Sequence, residues 1–272
     1  IKNNFKLKDN VEITIEVNPG TATKSKFEKY KNININRLSI GLQTTDDSLL
    51  KEIGRIHNYN QFEECYKTAR DTGFNNINVD LMIGIPNQSI ENVKDSIKKV
   101  INLKPEHISV YSLILEENTV LDKLIKEKKL KMPPEELERE MYWYVKNTLE
   151  KNKYMQYEIS NFAKEGFESK HNLDCWNQKE YIGVGVSASS FIEDKRYSNI
   201  SAIEDYIKNI ENNVINKNLI LEEVLDEENK MKEYMLLGLR KIDGINIDEF
   251  KNIFNINKII KFCNELEKLT KQ

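Results

Sequence analysis

Four polar side chains stand where runs of strand-forming residues end or are interrupted: Glu16, Gln43, Arg55 and Asp80. Residues 37–41 read as a short buried strand, Gln43 follows its end, and Thr45-Asp46-Asp47 can cap a helix over 48–53. Gly54-Arg55-Ile56-His57 then leaves that helix as a glycine-released turn. The turn brings a guanidinium back over the strand end, where it could grip a carboxylate or phosphate through paired hydrogen bonds. Asp80 lies inside the apolar run 76–83. A carboxylate there costs free energy unless something satisfies it, and near a strand end it could accept both hydroxyls of a ribose. A hydrogen bond to a neighbouring loop would satisfy it equally well.

Other chemistries find less support. His57, His107 and His171 show no metal-ligand spacing with one another, and neither CxxC nor HExxH occurs. Gly185-Val186-Ser187-Ala188-Ser189 misses the nucleophile turn of a serine hydrolase by its last residue, and Gly183-Val184-Gly185 lacks the third glycine of a dinucleotide fingerprint. Both read better as structure. His171, Cys175 and Trp176 set an imidazole, a thiol and an indole within six residues of a polar stretch. The first two kinds of group can ligate a haem iron and the third can cover a porphyrin face. A solvated histidine with a local turn at Asn172 is the plainer alternative.

The elements that must position these groups follow from periodicity. Val11, Ile13, Ile15 and Val17 alternate with polar residues as in a half-buried strand, broken by Asn18-Pro19-Gly20, so Glu16 falls near a carboxyl end. A helix over 21–31, the 37–41 strand, a helix over 59–72 stopped by Gly73, a strand over 76–83, a helix over 90–103 and a strand over 107–115 follow in turn. Such alternation predicts a parallel sheet with right-handed crossovers, doubly wound or curled into a barrel, with function at the carboxyl ends of its strands. Beyond it the sequence predicts a helix over 135–152 behind Pro133-Pro134, a strand over 157–160, a polar loop over 161–178 and a glycine-rich segment over 181–191. A mostly helical tail then has helices at 202–213, 227–239, 247–254 and 256–269.

With 272 residues the chain can bury a sizeable core. Lys and Arg total 41 against 44 Asp and Glu, a formal net charge of −3 with the signs interspersed, so neither nucleic acid nor an anionic membrane is favoured as a partner. No apolar run approaches a membrane span. The odd, widely spaced cysteines Cys65, Cys175 and Cys263 suit a reducing, cytoplasmic setting. The start at Ile1, without methionine and almost directly before a strand, suggests a piece of a longer protein.

Assembled in order, EITIEVNPG, NRLSIGLQT, GRIHN, NVDLMIGIPNQS, HISVYSL, YEISNFA, HNLDCW and YIGVGVSASS make the chain resemble a family of radical S-adenosylmethionine (SAM) proteins. These are the oxygen-independent coproporphyrinogen III oxidases, or coproporphyrinogen dehydrogenases, and their haem-chaperone relatives, HemW. GRIH, YEISNFA and the HN-x-x-x-W segment resemble the haem-chaperone branch. The resemblance implies an α/β fold: a partial six-stranded (β/α) radical SAM barrel, here its last four strands, over 1–165. A connecting polar and glycine-rich segment over 166–200 and a mostly helical C-terminal domain over 201–272 would follow. It implies that Glu16, Gln43, Arg55 and Asp80 contact SAM, with Ile114 and Ser189 in support, and that His171, Cys175 and Trp176 belong to a haem site.

Two departures stand out. Cys175 occupies a place where the family usually has tyrosine, and the family's CxxxCxxC loop, which holds a [4Fe–4S] cluster, and its GGGTP loop are both absent. The cluster cysteines are therefore expected upstream, these residues by themselves are expected to be catalytically inactive, and the carboxyl end is expected to continue. Three functions stay open: a haem chaperone binding SAM and haem and serving a haem-acceptor protein, a coproporphyrinogen dehydrogenase decarboxylating propionates on a tetrapyrrole, and a cluster-less module binding haem or another flat ligand.

Overall fold

The first alternating stretch folds as strand β1 (Thr14–Val17), three residues shorter at its start than its pattern. The side chain of Asn36 explains the difference. Its amide donates to Val11 O and accepts from Ile13 N–H, both at 2.8 Å, taking the place of ladder bonds. The computed structural model describes residues 4–254 and Ile260 and divides into two compact units, residues 1–170 and 171–272. The expected helix over 256–269, and Cys263 within it, lie outside the described residues.

In the first unit the chain continues through α1 (Lys24–Asn32), β2 (Arg37–Gln43), α2 (Asp47–Glu52), α3 (Tyr59–Asp71), β3 (Ile77–Ile83), α4 (Ile90–Leu103) and β4 (His107–Ser112). Side-chain caps fix where these helices begin: Thr23 for α1, Asp46 for α2, and reciprocal capping boxes Asn58/Gln61 for α3 and Ser89/Asn92 for α4. A short helix not anticipated from sequence, α5 (Val120–Lys126), starts at the Thr119 cap, and α6 (Glu135–Lys151) follows Pro134.

Strands β1 to β4 pair in parallel in sequence order. Their apolar alternates, among them Val17, Leu38, Ile40, Leu42, Ile77, Val79, Leu81, Ile83, Ile108 and Val110, share one core cluster with Phe27 of α1, Phe62 of α3, Val93 and Ile97 of α4, and Met141 and Val145 of α6. All these helices therefore cover the same face of the sheet. A doubly wound sheet would carry helices on both, so the one-sided arrangement selects the barrel-like alternative. The opposite face carries Glu16, Arg37, Ser39, Gln43, Asn78, Asp80, His107 and Ser109.

Beyond β4 the sheet departs from expectation. In place of one strand over 157–160, β5 (Met155–Glu158) turns tightly into β6 (Asn161–Ala163), which lies antiparallel between β4 and β5. The Glu158 carboxylate makes the turn by accepting from Ser160 N–H and from the Asn161 side chain. The stretch read as a polar loop thus contains a strand of three residues, and also helix α7 (Lys170–Trp176).

The second unit carries an antiparallel sheet of β7 (Ser189–Ile192), β8 (Lys195–Asn199) and β9 (Leu219–Val224), together with α8 (Ile203–Glu211), α9 (Glu227–Gly238) and α10 (Ile247–Ile253). The sheet adds to the helices that the tail's periodicity predicts. Arg196 of β8 ties it to α9 through a two-pronged pair with Glu233, at 2.6 and 2.7 Å. The glycine-rich segment is used internally. Gly183 N–H donates to Ser190 Oγ at 2.9 Å, and a Cβ on Gly183 would collide with the carbonyl of Ser189. Gly183→Ala is therefore expected to overpack this contact and cost about 1–3 kcal/mol, read as a lowered thermal unfolding midpoint. An unchanged midpoint would contradict the packing.

Candidate functional site

The parallel register builds the polar face row by row. Glu16 pairs with Ser39, Ser39 with Asn78 and Asn78 with His107, while one row higher Gly41, Asp80 and Ser109 align. Asp80 keeps some exposure at this face. Its Oδ2 accepts from Ser39 Oγ at 3.1 Å and its Oδ1 from Asn78 Nδ2 at 2.7 Å. Burial pushes its carboxyl above the ordinary value of 3.8 and facing Glu16 adds to the rise, against the pull of the bonds from Asn78 and Ser39.

Gln43 reaches the same end of the sheet from an irregular backbone. The β2–β3 register shifts between Gly41 and Gln43, and Gln43 takes a left-handed φ of 73°. Its Nε2 lies 2.9 Å, and Asn18 Oδ1 3.7 Å, from the point a Gly41 Cβ would occupy, so the absent side chain leaves room for both. Arg55 Nη1 donates to Asn18 Oδ1 at 3.0 Å. The turn of 54–57 is anchored by buried His57, whose Nε2 bonds Leu42 O at 3.3 Å. Burial draws this imidazole down, with Arg55 adding to the effect, so the neutral ring donates to the carbonyl.

The carboxyl ends of β1 to β3 thus gather Glu16, Gln43, Arg55 and Asp80. Ile114 lies past β4, in no element and 79% exposed, and Ser189 opens β7 in the second unit. Asn18, Ser39, Asn78 and His107 were not singled out from sequence as members of this face. The i, i+2 spacing of Asn78 and Asp80 in one strand held the signal for Asn78; Asn18 looked only like a strand breaker.

On α7, His171 and Cys175 sit one turn apart, with Nε2 3.8 Å from Sγ. His171 is exposed, whereas burial, with Asp174 adding, pushes the Cys175 thiol up. Trp176 is stacked under the Arg240 guanidinium, 4.3 Å from the ring centroid, and its buried indole N–H has no hydrogen-bond partner among the described residues. Cys65 is a core residue of α3 whose thiol burial pushes up to about 11. Among the described residues no three His, Cys, Asp or Glu side chains converge as a metal site. Among the described residues the cysteines are Cys65, buried in the core, and Cys175, and two thiols do not make up the three-cysteine set that a [4Fe–4S] cluster of this family needs.

Residues 1–100 match the radical SAM superfamily. The chain is 38% identical over 243 residues to the haem chaperone HemW of Lactococcus lactis, covering 89% of this chain and 63% of that protein. It is 40% identical over 248 residues to the Bacillus subtilis protein of the same name, covering 88% and 62%. Against HemW of Buchnera aphidicola subsp. Schizaphis graminum it is 35% identical over 262 residues, covering 95% and 67%. The chain thus spans a little under two thirds of the first two relatives. Among solved structures, coproporphyrinogen III oxidase (HemN) from Escherichia coli, a radical SAM enzyme, superposes with a TM-score of 0.76 at 20% identity, over 92% of this chain and 60% of that one. That likeness establishes the fold.

The Asp80 carboxyl carries a stability consequence. Its folded pKa lies above the unfolded one, so the folded state holds the proton more tightly, and stability falls as pH rises from near 3.8 through the folded value. Asp80→Asn is accordingly expected to raise the thermal midpoint at pH 7 and to lose that advantage below about pH 4. A destabilised variant at pH 7 would contradict the assignment.

Proposed function

Because the chain belongs to the HemW haem-chaperone family of radical SAM proteins, we propose that its first unit carries a SAM-binding strand end and that the protein binds haem and passes it to an acceptor protein. The observation that supports the SAM site is the gathering of two carboxylates, an amide and a guanidinium at the carboxyl ends of parallel strands, on the face that the helices leave uncovered. Asp80 spends one bond on Ser39 and one on Asn78, which leaves lone pairs to accept from two ribose hydroxyls. Arg55 suits the carboxylate of the methionine moiety, and Glu16 and Gln43 suit its ammonium and polar edge. SAM bound in such proteins supplies radical chemistry.

Haem is assigned to α7. His171 is its axial ligand, since its imidazole is exposed there, while burial pushes the Cys175 thiol up and the Trp176 ring already carries Arg240. Two titrations test the proposal together. Asp80→Asn is expected to weaken calorimetric binding of S-adenosylhomocysteine roughly ten- to a hundredfold, the loss of one charge-assisted bond, while Glu12→Ala, in the segment before β1, leaves it unchanged. His171→Ala is expected to shift or weaken the Soret band that haemin develops, while His57→Ala does not. Equal binding by Asp80→Asn and Glu12→Ala would refute the SAM site. Equal spectra for the two histidine variants would refute the ligand.

A further inference from the structure

Beneath Asp80 runs a set of buried polar groups to which neither the fold nor SAM binding has so far given a task. Asn78, 2% exposed, uses its Nδ2 on Asp80 Oδ1 and on Ser39 Oγ, both at 2.7 Å. Its Oδ1 faces His107 Nδ1 at 2.6 Å and Ser109 Oγ at 3.1 Å. Nε2 of His107, which is wholly buried, faces Tyr157 Oη at 2.8 Å, and that oxygen in turn accepts from Ser169 N–H at 3.3 Å.

The proton positions along this chain are not free. An ionised carboxylate only accepts, so the amide nitrogen of Asn78 must face Asp80 and its oxygen must face His107. Nδ1 of His107 must therefore carry a proton. Burial holds the imidazole well below its ordinary range, with Arg37 adding to this, so Nε2 is bare and accepts from the Tyr157 hydroxyl. Burial likewise pushes the Tyr157 phenol up and keeps it protonated. Every bond from Ser169 N–H onward donates in one direction, toward Asp80.

We propose that His107 and Asn78 are positioning residues for SAM recognition: the neutral Nδ1–H imidazole locks the Asn78 amide with its nitrogen toward Asp80, and so keeps that carboxylate ionised and oriented to accept ribose hydroxyls. The inference rests on the reading of Asp80 as the ribose contact. Without the imidazole, Ser109 alone holds the Asn78 oxygen. The amide can then turn over and present its carbonyl to Asp80, an arrangement that is tolerable only if Asp80 binds a proton. The protonated carboxyl would have to donate where the ribose needs an acceptor. Glu16 of β1 and Tyr111 of β4 also face Asp80, and Arg37 of β2 and Tyr157 of β5 face His107, so the test must isolate the Asp80 titration.

Binding of S-adenosylhomocysteine is measured by calorimetry from pH 6 to 8 for the protein and for His107→Leu, Tyr157→Phe and Asp80→Asn. The unmodified protein is expected to bind with little pH dependence. His107→Leu should bind more weakly at pH 6 than at pH 8, by up to about tenfold per pH unit below the raised pKa, and Asp80→Asn weakly at every pH. Tyr157→Phe removes the donor that keeps Nε2 bare, together with the acceptor of Ser169 N–H, and leaves the imidazole in place. It should shift the profile in the same direction by less, and it serves as the test if His107→Leu does not fold. If Asp80→Asn is weakened while both other variants keep the flat profile, the positioning role is overturned and the ribose site stands. If Asp80→Asn binds normally, the ribose site falls and this inference with it. An independent readout is the 15N spectrum of His107, expected to show the neutral Nδ1–H tautomer from pH 6 to 8. An Nε2–H tautomer or an imidazolium there overturns the chain.

Discussion

Everything in the first unit depends on one constraint, the period-two alternation of side chains along parallel strands whose crossover helices all lie on one side. The side that meets the helices is aliphatic without interruption, from Val17 through Leu38, Ile40 and Val79 to Ile108. The other side must then either be covered by more protein or be polar, and here it is polar. Buried Ser39, Asn78, His107 and Ser109 answer one another's hydrogen bonds instead of meeting a second helical layer. A half-barrel of this kind delivers functional groups to its strand ends and simultaneously supplies a preorganised network beneath them.

That arrangement sets stability against binding. Asp80 would be easier to bury protonated, since desolvation is the largest influence on it and Glu16 adds to the cost. Two neutral donors, Asn78 and Ser39, act against this without adding a compensating positive charge beside the carboxylate. A salt bridge from the interior would stabilise the fold more strongly but would occupy the lone pairs that a ligand needs. At the mouth the Arg55 guanidinium bonds Asn18 instead, which leaves the Asp80 carboxylate to the hydroxyl and amide donors.

Much of this could be read from the sequence wherever local signals and packing agree. The helix over 90–103 appears with those bounds because Ser89 and Asn92 cap its start and left-handed Lys104 ends it. The four residues of the strand-end set were legible from local pattern: Glu16 from alternation, Gln43 from the end of a buried run, Arg55 from the turn after Gly54, and Asp80 because it interrupts an apolar strand. What escaped was short or non-local. Strand β6 has three residues, and its place depends on the Glu158 turn. Strand β8, KRYSN, shows no alternation and is held by its ladder and by Arg196 on Glu233. Asn18 becomes part of the site only because Gly41, on the neighbouring strand, has no side chain to displace it.

The distribution of motifs over these elements bears on how one fold serves different chemistries. The 20% identity to coproporphyrinogen III oxidase accompanies a shared backbone over nearly the whole chain, so the backbone cannot be what separates the functions. The segments that resemble the haem-chaperone branch fall in particular places: GRIH in the turn that His57 pins to Leu42, YEISNFA in the β5–β6 hairpin, and HNLDCW in α7. Only the first lies at the carboxyl ends of the parallel strands. The hairpin closes the sheet next to β4, and its Tyr157 reaches back to His107 while holding the backbone of Ser169, the residue before α7. Changes in the hairpin and α7 can therefore be made apart from the strand ends that hold Glu16, Gln43 and Asp80. Tyr157 is the residue at which the two regions meet, because a change there alters both the proton pattern under Asp80 and the anchoring of the segment that leads into α7.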